Sequence, residues 1–453
     1  MDFLRFTGPL LLLLICFSKQ SYADLFSATQ HYQQQNFSKA YEEFLQLSEF
    51  GNSDAMYNLA VMSLHGQGTN KSLPKAYAWF LLASDFGLSD AKQTAELISQ
   101  KYTDKQVLND MYVALKQHYA FDVIATKYFP SEFSKPKKSL SKVRDHQPNY
   151  PEQAIRQGVE GWVWLEFDID DTGAVTDISL IAAHPKHIFS TELINAVSLW
   201  QYDTDKPIKN RSLTYHFTTF KGKQYKTAFQ NQRKQYKQSI SEHIDAAEQG
   251  NGEIQFYISQ WLQSNDYNAS QLLKYHWQDE QAAQTLLFAA AKNNFPLAQY
   301  KLATGILSND INDPDRATAL NWLKIAAQHN NLPALYRLGS ILSDSQNPEF
   351  SPHIALSYFQ KAAEHDHFRA IRDMCLLLKT MPAKSQELKR CINTGLDIDD
   401  SHPTLLLLKA EIQPNNALSL KYAKQALKEA KSRKWSIKAI SAFMQTLDPG
   451  ALN

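Results

Sequence analysis

In this 453-residue chain His365 and His367 bracket Asp366, His184 and His187 bracket Pro185-Lys186, and Cys375 and Cys391 lie 16 positions apart. Two histidines around an aspartate could ligate a metal, but at the end of a helical segment the same residues make an ordinary turn or solvated loop. His184 and His187 could sense pH or touch a partner, and a polar surface loop accounts for them equally well. The cysteines carry a sharper expectation. They flank Thr380-Met381-Pro382-Ala383 at nearly equal distances, so an antiparallel helix pair turning there brings them level, and a disulfide is predicted. The sequence has no H-E-x-x-H, C-x-x-C, G-x-S-x-G, P-loop or dinucleotide glycine motif. No catalytic residue, metal ligand or cofactor is assigned, and the reading is that the protein is not an enzyme.

The stretch that must position any site runs from Pro148 to Phe220, because it alone alternates with period two. Val163, Leu165, Phe167 and Ile169 fall on one face, and Trp162, Trp164, Glu166 and Asp168 on the other. Ile178, Leu180 and Ala182 repeat the pattern, and Asp170-Asp171-Thr172-Gly173 between the two runs predicts a hairpin. Leu193, Ala196, Val197 and Trp200 form the apolar stripe of a helix opened by Ser190. Leu213, Tyr215 and Phe217 then alternate as a third strand. Trp162 and Trp164 either bury under a neighbouring helical layer or form a binding patch; burial is the preferred reading, since helices flank the module on both sides.

The order helix, strand, strand, helix, strand resembles the C-terminal domain of TonB. The resemblance rests on Tyr150-Pro151 with Ala154, Gly158 and Gly161 before the first strand, Asp171 and Gly173 in the hairpin, and Trp200 closing the second helix. It implies a module that captures a short extended peptide from an outer-membrane receptor by adding it to a sheet edge. The strand from Arg211 to Phe220 is the expected edge, and Arg211, Leu213, Tyr215 and Phe217 are the expected partner-binding side chains. Those apolar residues could instead point into the core.

Two helical arrays flank this module. KAYEEFLQLSEFGNSDA at 39–55 and KAYAWFLLASDFGLSDA at 75–91 are near-copies 36 residues apart. The period returns in Ala298, Ala334 and Ala370, in Tyr300 and Tyr336, and in Ala290, Ala326 and Ala362. These segments resemble Sel-like repeats, relatives of the tetratricopeptide repeat. Ala60, Ala76 and Ala83 would allow close helix approach, and Gly87 would end a helix in the left-handed conformation. The final helices, roughly 416–434 and 436–447, read as a cap. On the first of them Lys421, Lys424, Lys428 and Lys431 line one side, usually a solvated face, with attraction to an anionic surface as the sharper alternative.

Residues 1–23 read as a secretory signal: Arg5, an apolar run from Pro9 to Phe17, then Ser21-Tyr22-Ala23. The run is about half the roughly 20 apolar residues a membrane span needs, and Leu13-Leu14-Ile15 argues against lipidation at Cys16. A formal net charge of +1 gives no bias towards nucleic acid.

The expected organisation is mostly α with an internal small α+β domain of about three antiparallel strands and two helices. Its parts are signal 1–23, repeats 24–130, linker 131–147, TonB-like domain 148–222, and repeats with capping helices 223–450. The expected function is a periplasmic interaction scaffold with a strand-capturing module and a protein or peptide partner. An atypical energy transducer for outer-membrane transport and an envelope enzyme with a site between the arrays are the alternatives.

Overall fold

The computed structural model describes residues 25–130, 140–218, 230–264, 273–308 and 313–447. The signal segment and Cys16 lie outside these residues. The protein is mostly helical, with a small antiparallel sheet region between two arrays of helix pairs.

The first array comprises the helices Leu25–Gln33, Phe37–Ser48, Ser53–His65, Leu73–Asp85, Ser89–Lys101, Lys105–Tyr119 and Phe121–Tyr128. Ala60, Ala76 and Ala83 are fully buried, so the helices approach where no longer side chain would fit. Gly87 has φ +97°, beyond the end of the Leu73–Asp85 helix, where only glycine adopts that backbone without strain.

The second array begins with Gln230–Glu248 and Gly252–Leu262. It continues through Ala282–Lys292, Pro296–Leu307, Asp313–Gln328, Leu332–Ser343, Pro352–Ala363 and Phe368–Lys379. Ser385–Ile398, Pro403–Glu411, Asn416–Arg433 and Lys438–Leu447 complete it. The 36-residue period has a local cause. Asn294, Asn330 and Asp366 all sit at positive φ of 54° to 61°, ending one helix of each pair, and Asn331 and His367 cap the next by accepting from Ala334 N and Ala370 N. His365, Asp366 and His367 are therefore a turn and a cap. Among the described residues no group of three His, Cys, Asp or Glu side chains is arranged to hold a metal.

The arrays pack on one another. Phe50 stacks on Trp322 at 5.7 Å, the Trp322 indole N–H donates to the Tyr128 carbonyl at 2.7 Å, and Asn52 donates to Asn293 at 2.5 Å.

The module contains β1 (Lys142–Arg144), the helix Glu152–Gln157, β2 (Gly161–Ile169), β3 (Val175–His184), the helix Ser190–Val197, β4 (Gln201–Tyr202) and β5 (Ile208–Phe217). The main sheet has the order β3-β2-β5, all antiparallel, and β1 pairs with β4 as a separate ribbon. The segment expected to be linker thus contributes a strand, for which the sequence carries no alternation beyond Lys142-Val143-Arg144. At the β2–β3 turn Asp170 accepts from Thr172 N and Ala174 N at 2.8 and 3.1 Å. Gly173, at φ +81°, leaves room for the Tyr202 carbonyl, which a Cβ would meet at 2.0 Å.

Candidate functional site

Every residue of β2 is buried, on both faces. One face packs inside the module: Val163, Leu165, Phe167 and Ile169 join Leu193, Val197, Trp200 and Tyr202. The register pairs Val163 with Tyr215, Leu165 with Leu213 and Phe167 with Arg211, and directly opposed residues share a face. The expected partner-binding side chains therefore lie on the module's own core side. Phe217 is buried in that core and stacks on Phe189 at 4.4 Å, Leu213 and Tyr215 pack partly against it, and Arg211 lies over the Tyr202 ring. Alternation along β5 marked two faces correctly, but it carries no label saying which face the helices cover.

The other face of β2 is closed by the second array. Trp162 and Trp164 are fully buried; Trp162 meets Phe256 edge-on at 5.8 Å, and Trp164 lies 5.5 Å from Tyr300. Beyond the tryptophans the face becomes acidic. Glu166 accepts from the Tyr300 hydroxyl at 2.8 Å and pairs with Arg337 at 2.9 Å. Asp168 pairs with Arg369 and, at 2.9 Å, with Arg372. Arg372 also holds Asp177 of β3 at 2.5 Å and Asp373 at 2.6 Å, and His402 lies 2.9 Å from Asp177. Asn210, at φ 59°, accepts from Arg369 at 2.9 Å and donates to Ser340 at 3.0 Å.

This seat uses the repeat register. Tyr300, Tyr336 and Arg372 occupy one position of successive 36-residue repeats, and Lys301, Arg337 and Asp373 the next. The array thereby presents a file of hydroxyl and charged groups to one sheet face, and acceptors two residues apart on β2 meet donors from different repeats. The Tyr300/Tyr336 spacing is legible in the sequence as a repeat period, but the role of its charged neighbours is not. The available signal was a strand face mixing two tryptophans with two carboxylates, which suits neither plain core nor open solvent.

Burial alone would push these carboxyls up, but at Asp177 Arg372 and His402 outweigh it and hold the group well below the ordinary carboxylate range. Asp373 is likewise held low, by Arg372 and Lys209 against burial. Lys301 lies 4.2 Å over the Trp164 ring and donates to Thr214 of β5. Burial lowers its ammonium to about 7, and Glu166 acts in the opposite direction.

The outer side of β5 pairs with no strand among the described residues. Alongside it, between the strand and the Pro296–Leu307 helix, runs a cavity of about 570 Å³ whose lining includes Ser212, Thr214, Lys301, Gly305 and Arg337. Gly305 sits in the last turn of that helix, and a Cβ there would have no atom within 4 Å, so its missing side chain leaves the groove open. Cys375 and Cys391 are joined, with Cα atoms 5.6 Å apart, and anchor the helix that carries Arg369, Arg372 and Asp373. His184 is half-buried beside Tyr257 and Trp261, at ring distances of 4.5 and 5.0 Å. The side chains of Lys421, Lys424, Lys428 and Lys431 are exposed, opposite buried Ala423, Ala426 and Ala430.

Residues 146–220 match the family model described as Gram-negative bacterial TonB protein C-terminal, and residues 53–86, 296–331 and 332–367 match the Sel1 repeat model. Protein TonB of Salmonella typhimurium is 36% identical over 62 residues, covering 14% of this chain and 26% of the relative. Protein TonB of Yersinia enterocolitica is 36% identical over 66 residues, covering 15% and 25%. The chain thus spans about a quarter of the length of these curated relatives. Among solved structures, a Sel1 repeat protein from Oxalobacter formigenes is 20% identical, with a TM-score of 0.36, over 49% of this chain and 87% of that one. The chain therefore joins a TonB C-terminal module to Sel1 repeats, both protein-interaction domains. No helix of the described residues is long and apolar enough to cross a membrane.

Proposed function

We propose that this protein is a periplasmic interaction scaffold that captures an extended segment of a partner, an outer-membrane receptor segment being the first candidate, along the outer side of β5. The observation that carries the reading is the open strand edge with a groove beside it. A segment added there would hydrogen-bond to β5 through its backbone and send alternate side chains towards the Pro296–Leu307 helix. Three or four edge hydrogen bonds at about 1 kcal/mol net each give millimolar affinity at best. The groove wall must supply the rest, so in this chain the array takes part in recognition. The side chains to test are Ser212, Thr214, Lys301 and Arg337, in place of the core-facing Arg211, Leu213, Tyr215 and Phe217.

The test is selection of random ten-residue peptides on the immobilised full chain, followed by measurement of their affinity for variants. Gly305→Phe fills the groove from a helical position where glycine is a poor helix former, so it should leave the fold intact. Selected peptides should lose at least tenfold in affinity for it. Leu213→Pro and Thr214→Pro form a second arm. Successive residues of a strand turn their N–H groups to opposite sides, so one proline removes an edge donor and the other breaks the ladder to β2. The variant that keeps its circular dichroism should lose peptide. Peptides that bind wild type, Gly305→Phe and the folded proline variant equally well would refute capture at this edge.

A further inference from the structure

A second cavity, of about 970 Å³, lies between the module and the C-terminal cap, away from the β5 groove. Its size is that of a small-molecule site. On the module side it is walled by Ile178 of β3 and by Leu199 and Trp200, and on the array side by Phe368, His402 and Trp435. The array wall is a run of rings: Phe368 to His402 at 5.0 Å and His402 to Trp435 at 5.4 Å. Leu199 and Ile437 are left 47% and 37% exposed at the cavity, which neither contributes to the core nor suits open solvent.

The rim is cationic. Its two carboxylates are already paired, Asp177 with Arg372 and hydrogen-bonded to His402, and Asp399 with Arg433 through two contacts of 2.9 Å. Arg144 from β1, Lys431 and Lys434 are exposed and have no carboxylate at ion-pair distance among the described residues. Lys431 is the last member of the exposed stripe that begins at Lys421, so a track of positive charge along the Asn416–Arg433 helix ends at the cavity mouth. A third observation is independent of both. The His402 side chain is 2% exposed and uses Nε2 on Asp177, but its Nδ1 has no hydrogen-bond partner in the protein. A buried imidazole nitrogen without a partner is uncommon, and this one belongs to a residue that lines the cavity.

We infer that this cavity binds a small organic monoanion with a flat apolar body, such as an aromatic carboxylate or sulfonate. The body packs against Phe368 and Trp435 and covers Leu199 and Ile437. The anionic group sits at the rim between Arg144 and Lys431, drawn in along the lysine track. Because both walls contribute, an occupant bridges the module and the array, and its binding is independent of the β5 groove.

The probe is 8-anilinonaphthalene-1-sulfonate, with N-phenyl-1-naphthylamine as the same body without the charge. Calorimetric titration of the full chain should give one site per chain for the sulfonate and an affinity at least tenfold weaker for the neutral compound. Arg144→Glu with Lys431→Glu reverses one charge on each wall, at exposed positions, and should weaken the sulfonate by roughly tenfold or more. Leu199→Glu places a carboxylate in the apolar wall from an exposed position and should do the same. Circular dichroism melting checks that these variants stay folded. Equal affinity for the two compounds, sulfonate binding unchanged in the folded variants, or several equivalent sites would each overturn the inference. So would co-sedimentation with phosphatidylglycerol vesicles that needs the lysine track but is unaffected by saturating sulfonate, since the track would then serve a lipid surface.

Discussion

The two faces of β2 are buried equally and by opposite means. On one, Val163, Leu165 and Phe167 pack against a helix eight residues long and thirty positions or so along the chain. On the other, Trp162 meets Phe256 and Trp164 meets Tyr300, while Glu166 and Asp168 meet array residues 134 to 204 positions away. The first interface is apolar, non-directional, and tolerant of small shifts. The second depends on charges removed from water, which are stable only when each finds its partner. The apolar face closes the module on its own helix; the charged face fixes how the module sits on the array. This matters for the capture proposed at β5, because the groove beside the strand exists only if the Pro296–Leu307 helix lies at a set distance from it.

The comparison breaks hardest at its centre. Arg372→Ala leaves Asp168, Asp177 and Asp373 buried without their shared cation and should cost about 3 to 5 kcal/mol. Phe167→Ala on the opposite face should cost a similar amount, about 3 to 5 kcal/mol, by opening a cavity. The two losses should look different. Arg372→Ala should release the seat while sparing the module, giving a red-shifted emission from Trp162 and Trp164 with little change in sheet signal. Phe167→Ala should lose the sheet signal itself. Identical signatures would mean that module and array unfold as one unit, and that the faces do not differ in role.

The disulfide sharpens the same contrast, since it ties down the helix that bears Arg369 and Arg372. Closing a loop of about 15 residues stabilises by about 3 kcal/mol in the chain-entropy model. Cys375→Ala should therefore lower the melting temperature under oxidising conditions and hardly at all under reducing ones. Equal losses in both would reduce the pair to ordinary core packing.

Mild acid should loosen the charged face before the apolar one. Burial holds His184, His216 and His367 down to about 4, from an ordinary value of 6.5. All three lie where the module and the array meet or one residue from Phe368. Below 6.5 the unfolded chain takes up protons that the folded chain refuses, so their contribution is full above 6.5 and is lost progressively as pH falls towards 4. The low-lying Asp177 and Asp373 add a further loss only in stronger acid, as pH falls below the ordinary carboxylate value. Melting temperature measured from pH 7 to 4 should decline, and His184→Gln should flatten the slope. A profile level down to pH 4 would contradict this.

The smallest expected effect belongs to the exposed pair Arg156–Glu152, one turn apart on the Glu152–Gln157 helix. Arg156→Ala should change stability by no more than about 0.5 kcal/mol. A loss comparable to that of Arg372→Ala would show that burial is not what gives the interface pairs their weight.

Much of the architecture was readable along the chain because its causes are local. Period-two alternation marked β2 and β3, Asp170 and Gly173 marked their turn, and the 36-residue spacing of Ala298, Ala334 and Ala370 marked the stacked helices. The cysteine pairing was likewise a matter of nearly equal distances from one turn. The strand Lys142–Arg144 was missed because three residues carry no period, and its partner β4 has only two.

What only the tertiary structure decided is which surface covers which. The sequence shows that Trp162 and Trp164 share a face with Glu166 and Asp168, and separately that Tyr300, Tyr336 and Arg372 recur at one repeat position. Nothing along the chain says that these two sets meet, because how far successive repeats rotate depends on packing summed over many helices. The same holds for β5: its alternation was visible, but the side facing the Ser190–Val197 helix could be told from the side facing the array only once both layers were in place. Short-range steric and hydrogen-bonding preferences determine the elements; the site lies where elements far apart along the chain come together, 87 positions apart at Thr214 and Lys301, and the physics that brings them there is collective.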